Sequence, residues 1–176
     1  MTTKPRDPLL TAARFILIVM MGAMALIAAA CAIGAVASLA MHGMMVAEMA
    51  THQIPAEAAW AIAPLLALVI AASVLGFLFF RHLYRIVGTV GEGDPFIPEN
   101  AQRLSAMGWL VVAVHVLAIP LVAIGAWIAE LAKESDSVHF DSGIDLNGIL
   151  LALILFILAR VFREGTRMRE ELEGTV

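Results

Sequence analysis

The chain has 176 residues, 61% of them hydrophobic and 15% charged, with a mean hydropathy of +0.92. Soluble domains run at about 45–50% apolar and about 25% charged, and a chain of this length must still expose about a third of the surface its unfolded form would show, so a single soluble globular domain is excluded. One cysteine, Cys31, excludes an intramolecular disulfide framework and a thiolate zinc site, and a net charge of −4 excludes a generally basic nucleic-acid binder.

A hydrocarbon core of about 30 Å needs roughly 20 helical residues at about 1.5 Å each. Four stretches meet that requirement: residues 15–41, 58–80, 107–128 and 144–162. In the first, Ala28-Ala29-Ala30-Cys31 resembles a lipoprotein cleavage box behind Lys4 and Arg6. A signal sequence has an apolar run of about 7–15 residues followed by polar mature sequence, whereas this run continues past Cys31 to Ala40, so a retained helix is expected. Its small residues, Gly22, Ala28, Ala32, Gly34 and Ala35 among them, suit the close backbone approach on which packing in lipid relies.

From the end of the first span into the outer connection, residues 42–57, run sulfur and imidazole side chains: Met41, His42, Met44, Met45, Met49 and His52. Ligands of this softness select Cu(I). The bland and expected reading is that Met41, Met45 and Met49 recur every four residues as the buried stripe of a helix extension, since methionine fills irregular gaps.

Pro64 and Pro120 fall inside the second and third spans, where each removes a backbone hydrogen bond and is expected to kink the helix. Trp60, Trp109 and Trp127 fall near span ends, where amphipathic rings anchor a helix at the lipid interface. His115 lies about 12 Å into the third span from Met107. With no carboxylate in the interior of any span, Asp145 standing at the start of the fourth, it is read as a neutral histidine bonded to a backbone carbonyl or to Ser73, which argues against a proton pump.

Between the second and third spans, residues 81–106 are the most distinctive part of the chain. Gly88, Gly91 and Gly93 followed by Asp94-Pro95 predict a break and a turn. Pro98 suits the first position of a helix, with Glu99 in its first turn against the helix dipole. The glycines match no phosphate-loop spacing, so nucleotide binding is not expected. The second outer connection, residues 129–143, is acidic without the regular spacing of a calcium loop and reads as solvated.

After the fourth span, Val161, Gly165, Met168 and Leu172 make a narrow apolar stripe beside a basic face of Arg160, Arg163 and Arg167. Arg160 with Glu164, Arg167 with Glu171 and Arg169 with Glu173 are spaced i, i+4, which supports a helical tail. The arginines are read first as anchors at anionic headgroups. The sharper expectation is that the tail docks on the turn, an arginine facing Asp94 or Glu99.

Ten of the eleven basic residues precede the first span, lie between the second and third, or follow the fourth; Lys133 is the exception. The positive-inside rule therefore places both termini in the cytoplasm. Glu48, Glu57, Glu130, Glu134, Asp136, Asp141 and Asp145 fall on the other side. The expected organisation is an all-α integral membrane four-helix bundle: an N-terminal segment (1–14), four spans (15–162) and a cytoplasmic tail (163–176).

Gly93-Asp94-Pro95-Phe96, then Pro98-Glu99-Asn100 and Arg103-Leu104 leading into Gly108-Trp109, with the ending Ala159-Arg160-Val161-Phe162-Arg163-Glu164-Gly165 and Leu172-Glu173-Gly174-Thr175-Val176, resembles the bacterial four-span membrane proteins known as domain of unknown function 2975. The resemblance covers essentially the whole chain and rests on these two motifs. The family it resembles has no established enzymatic activity or cofactor, and the resemblance suggests association with a small helix-turn-helix regulator of the Xre type.

The expected function is thus that of a non-enzymatic, regulatory or partner-binding protein of the bacterial inner membrane. Its partners would be the lipid bilayer, such a regulator, and further copies of itself, with no direct nucleic acid. The partner surface would comprise Gly93, Asp94, Pro95, Phe96, Pro98, Glu99, Asn100, Arg103, Arg160, Arg163 and Arg167. The alternatives are a small-molecule or metal-handling protein built on the outer Met/His cluster, and a structural subunit of a membrane complex.

Overall fold

The computed structural model describes residues 8–51, 55–131 and 146–173. Lys4, Arg6, His52, Lys133, Glu134, Asp136, Asp141, Asp145 and the terminal Gly174, Thr175 and Val176 lie outside the described residues, as does the side chain of Glu173. The described fold is entirely helical: α1 (Pro8–Ala40), α2 (His42–Thr51), α3 (Glu57–Glu92), α4 (Pro98–Leu131) and α5 (Leu146–Glu173). Four of these, all but α2, are long and apolar enough to cross a membrane.

Each long helix overruns its apolar stretch, and α5 continues past Phe162 to Glu173. Pro64 and Pro120 are carried inside α3 and α4. Two of the three expected helix breakers in the central connection are overridden as well. α3 runs through Gly88 and Gly91, and the break falls at Gly93 alone. Glycine only lowers helix propensity, by about 1 kcal/mol, and packing around Gly88 and Gly91 outweighs that.

The helices divide between two compact units, one drawn from Met1–Ala23, Gly76–Ala113 and Asp145–Val176, the other from Met24–Leu75 and Val114–Ile144. The first unit has the larger core. Phe79, Leu83 and Ile86 on α3, Leu104, Met107 and Val111 on α4, and Ala152, Leu155 and Ala159 on α5 form one cluster. On each helix these positions repeat at the three- and four-residue spacing of a single face. Small residues bring backbones together here: a Cβ on Gly108 would come within 2.8 Å of the Phe156 ring, which also packs edge-on to Trp109 with centroids 5.5 Å apart.

The second unit buries small side chains, Ala58, Ala59, Ser38 and Ser73. Both serines donate their hydroxyls within their own helices, Ser38 to the Ala35 carbonyl and Ser73 to the Val69 carbonyl, each at 2.8 Å. A buried hydroxyl so satisfied adds no desolvation penalty.

Large apolar side chains cover much of the outside, Leu26 and Ile33 on α1, Ile119 on α4 and Ile149 on α5 among them. Trp60, Trp109 and Trp127 are also exposed. In water this surface would be strongly unfavourable; against hydrocarbon it is the ordinary solvent-facing side of a spanning helix.

Candidate functional site

The turn between α3 and α4 is built by hydrogen bonds that leave it little freedom. Gly93 has a φ of 88°, the left-handed conformation that a Cβ disfavours. Its amide donates to the Val90 carbonyl at 3.0 Å and the next amide, Asp94, reaches back to Thr89 O at 3.1 Å. This pair of bonds is the Schellman closure of a helix C-terminus, which satisfies carbonyls the helix would otherwise leave open. Pro98 opens α4, with Glu99 in the first turn.

Asn100 ties the pieces together. It is completely buried. Its amide nitrogen donates to Thr89 Oγ1 at 2.7 Å and to the Pro95 carbonyl at 2.9 Å, while its amide oxygen accepts from Arg103 at 2.7 Å. Thr89 passes its own proton to the Ile86 carbonyl at 2.8 Å. One side chain thereby joins the end of α3, the turn and the first turns of α4. Because it is buried, Asn100 positions the turn and does not itself offer a contact to a partner.

The tail of α5 lies on this turn. A Cβ on Gly165 would come within 2.7 Å of the Phe96 ring, so Gly165 is the notch that receives Phe96, whose centroid is 5.2 Å from that of Phe162. Thr166, buried beside the notch, donates to the Phe162 carbonyl at 2.9 Å. Arg169 pairs with Asp94. The arginine that meets the turn is therefore not one of Arg160, Arg163 and Arg167, all three of which are exposed. Arg167 pairs with Glu164 at 2.5 Å and Glu171 at 3.5 Å, so Glu164 is engaged from the opposite side to the expected Arg160.

The amino-terminal turns of α1 pack on α3 from another direction. Arg14 donates to the Gly88 carbonyl at 3.2 Å, and its guanidinium lies 3.6 Å and 3.4 Å from where a Cβ would stand on Gly88 and Gly91. These two glycines make room for Arg14 rather than breaking the helix. His82, beyond the apolar run that ends at Phe80, has its pKa held below the ordinary 6.5 by burial and then by the charges of Arg85, Arg103 and Arg81. Its Nδ1 is buried with no hydrogen-bond partner, as is Arg14 Nε.

The second unit holds the other expected cluster. Met41 is the single non-helical residue between α1 and α2. The expected buried stripe of Met41, Met45 and Met49 is not formed: α2 has no buried residue, Met41 is exposed, and Met45 and Met49 are half-buried. The His42 ring packs against Trp60, centroids 4.0 Å apart. His115 is half-buried on α4, and the Ser73 proton is spent on Val69 O.

The sequence pattern places the tail on the turn with an arginine facing Asp94, as Arg169 does, but gives no sign of the Phe96 seat on Gly165. Arg14, Thr89 and Phe162 carried no signal of their own, and Gly165 was placed in an apolar stripe. A glycine interrupting such a stripe on an otherwise glycine-poor helix was the available sign of an aromatic partner.

Four apolar spans around an all-helical fold define a multi-pass membrane protein. The model of the family described as protein of unknown function (DUF2975) matches residues 45–176, which include the turn and the whole of α5. The chain belongs to that family. No curated protein and no solved structure matches it.

Proposed function

We propose that this is a non-enzymatic regulatory protein of the bacterial inner membrane, with both termini in the cytoplasm, whose turn and α5 tail form one platform for a small helix-turn-helix transcription regulator. The observation that carries this reading is the tail seated on a hydrogen-bonded turn by Phe96 in the Gly165 notch and by Arg169 on Asp94. Nothing about lipid anchoring calls for a tail seated on a hydrogen-bonded turn; a binding surface does, because pre-organisation lowers the entropy lost on association.

The same arrangement leaves Arg160, Arg163 and Arg167 exposed together with Met168 and Leu172. An arginine row beside apolar side chains favours an acidic, partly apolar face. On a DNA-binding regulator such a face lies away from the basic surface that meets phosphate. The orientation is supported by the ten basic residues that the positive-inside rule collects on one side.

Affinity capture from the native membrane in mild detergent tests the partner. A helix-turn-helix protein should accompany the wild type and be lost both from Arg160→Glu/Arg163→Glu/Arg167→Glu and from a chain ending at Phe162. Absence of any such protein from the wild-type sample, or its retention by the charge-reversed variant, overturns the platform. Orientation is tested separately, in a Cys31→Ser background. Val176→Cys should react with an impermeant thiol reagent only after permeabilisation, and Ser137→Cys in intact cells.

A further inference from the structure

The second unit contains an open groove of about 490 Å3 to which Gly34, Ser38, Met41, Met44, Met45 and Glu48 contribute. Met41 interrupts the helix between α1 and α2, yet it is held by helical bonds on both sides: its amide donates to Ala37 O at 2.8 Å and its carbonyl accepts from the Met45 amide at 3.0 Å. Residues 41, 44 and 45 therefore stand at i, i+3 and i+4, with Cβ atoms about 5–6 Å apart on one face. A methionine side chain has three rotatable bonds, so three thioethers so placed can converge on one ion with the backbone unmoved.

Gap filling does not account for Met41 and Met44. Methionine is useful in a core because it adapts to irregular voids, yet Met41 is 48% exposed and Met44 68%. The donor chemistry is selective. Among the described residues no three His, Cys, Asp or Glu side chains are grouped to hold a metal ion, whereas thioethers prefer Cu(I). Three thioethers are neutral, and Glu48, one turn beyond Met44 and Met45, brings a carboxylate to the same groove. The His42 ring is packed on Trp60 and is not part of the lining.

We propose that Met41, Met44 and Met45 form a binding site for a soft monovalent cation, Cu(I), with Glu48 as its charge partner. The site is independent of the platform and stands or falls without it.

The test is a calorimetric titration of the full chain in detergent micelles with Ag(I), the redox-inert counterpart of Cu(I), in a Cys31→Ser background that removes the competing thiol. One Ag(I) should bind per chain. Met41→Leu/Met44→Leu/Met45→Leu conserves side-chain volume and should weaken binding about 100-fold or more, as removal of the whole donor set requires. Met44→Leu alone, at the most exposed of the three positions, should cost about 10-fold, the lower end of what ligand-shell changes cost. His42→Ala should leave the isotherm unchanged. Absence of saturable binding to the parent, or an isotherm that survives the triple substitution, overturns the site. So does loss of binding in His42→Ala, which would assign the ion to imidazole.

Discussion

The two units solve the problem of packing helices in lipid in different ways. The first interlocks large side chains, Met107, Leu104, Val111 and Leu155, with glycine notches at Gly108 and Gly165 and a buried polar node at Asn100. The second buries alanines and serines and keeps an open groove. Lipid tails are as apolar as leucine, so burying apolar area in a membrane contributes little by itself. What specifies a conformation there is close contact and polar bonding. The first unit has both; in the second the serine hydroxyls are spent inside their own helices.

The sharpest way to break this contrast is at Asn100. Asn100→Leu removes three hydrogen bonds and strands the Arg103 donor and the Pro95 carbonyl. It should destabilise the fold by about 2–4 kcal/mol, from lost bonds and unsatisfied buried groups together. Thermal unfolding in detergent would show this as a lowered midpoint. A midpoint within error of the wild type would remove Asn100 as the node that distinguishes the units.

Glycine substitutions compare the units directly. Gly165→Ala places a Cβ within 2.7 Å of the Phe96 ring and should cost about 1–3 kcal/mol by overpacking, with most of the loss recovered in Gly165→Ala/Phe96→Leu. In the second unit, Gly34→Ala meets only Leu66 Cδ1 at 3.4 Å, so the gain in helix propensity should leave it neutral or slightly stabilising. Equal costs at the two sites would erase the contrast.

Gly93→Ala should cost about 1–2 kcal/mol, the penalty of a side chain in the left-handed region, without altering the packing of the second unit. Proteolytic cleavage within residues 93–97, faster in the variant than in the wild type, would report the loosened turn.

The smallest effect is expected from His82. Its pKa in the fold lies below the ordinary 6.5, so the unfolded chain binds the proton more readily. The contribution to stability is therefore complete above about pH 6.5 and is lost as pH falls below that value toward the folded pKa. The unfolding midpoint should drop between pH 7.5 and 5.5, and His82→Gln should flatten the change. A midpoint that rises on acidification would reverse the assigned sign.

The sequence was most informative where a pattern repeats. Four apolar runs of about 20 residues dictate four spanning helices, because no other backbone arrangement satisfies its own polar groups in hydrocarbon, and Pro98 and Gly93 mark the start of α4 and the end of α3. It was least informative where the same residue type serves opposite ends. The glycine pattern marks Gly88 and Gly91 as breakers like Gly93, yet they lie inside α3 beneath Arg14. Local propensity separates the three by fractions of a kcal/mol, whereas the contact with α1 decides.

Composition and periodicity by themselves determined the solvent of this protein, its helical class and the run of chain in which the turn had to fall. Only the tertiary structure decided that Asn100 is an internal tie, that Gly165 is the seat of Phe96 and that Arg169, rather than Arg160, Arg163 or Arg167, meets Asp94. These are pairings between residues 11 to 75 positions apart. Helical periodicity selects a face but not the partner that the face meets, and in lipid that choice rests on the fit of individual side chains.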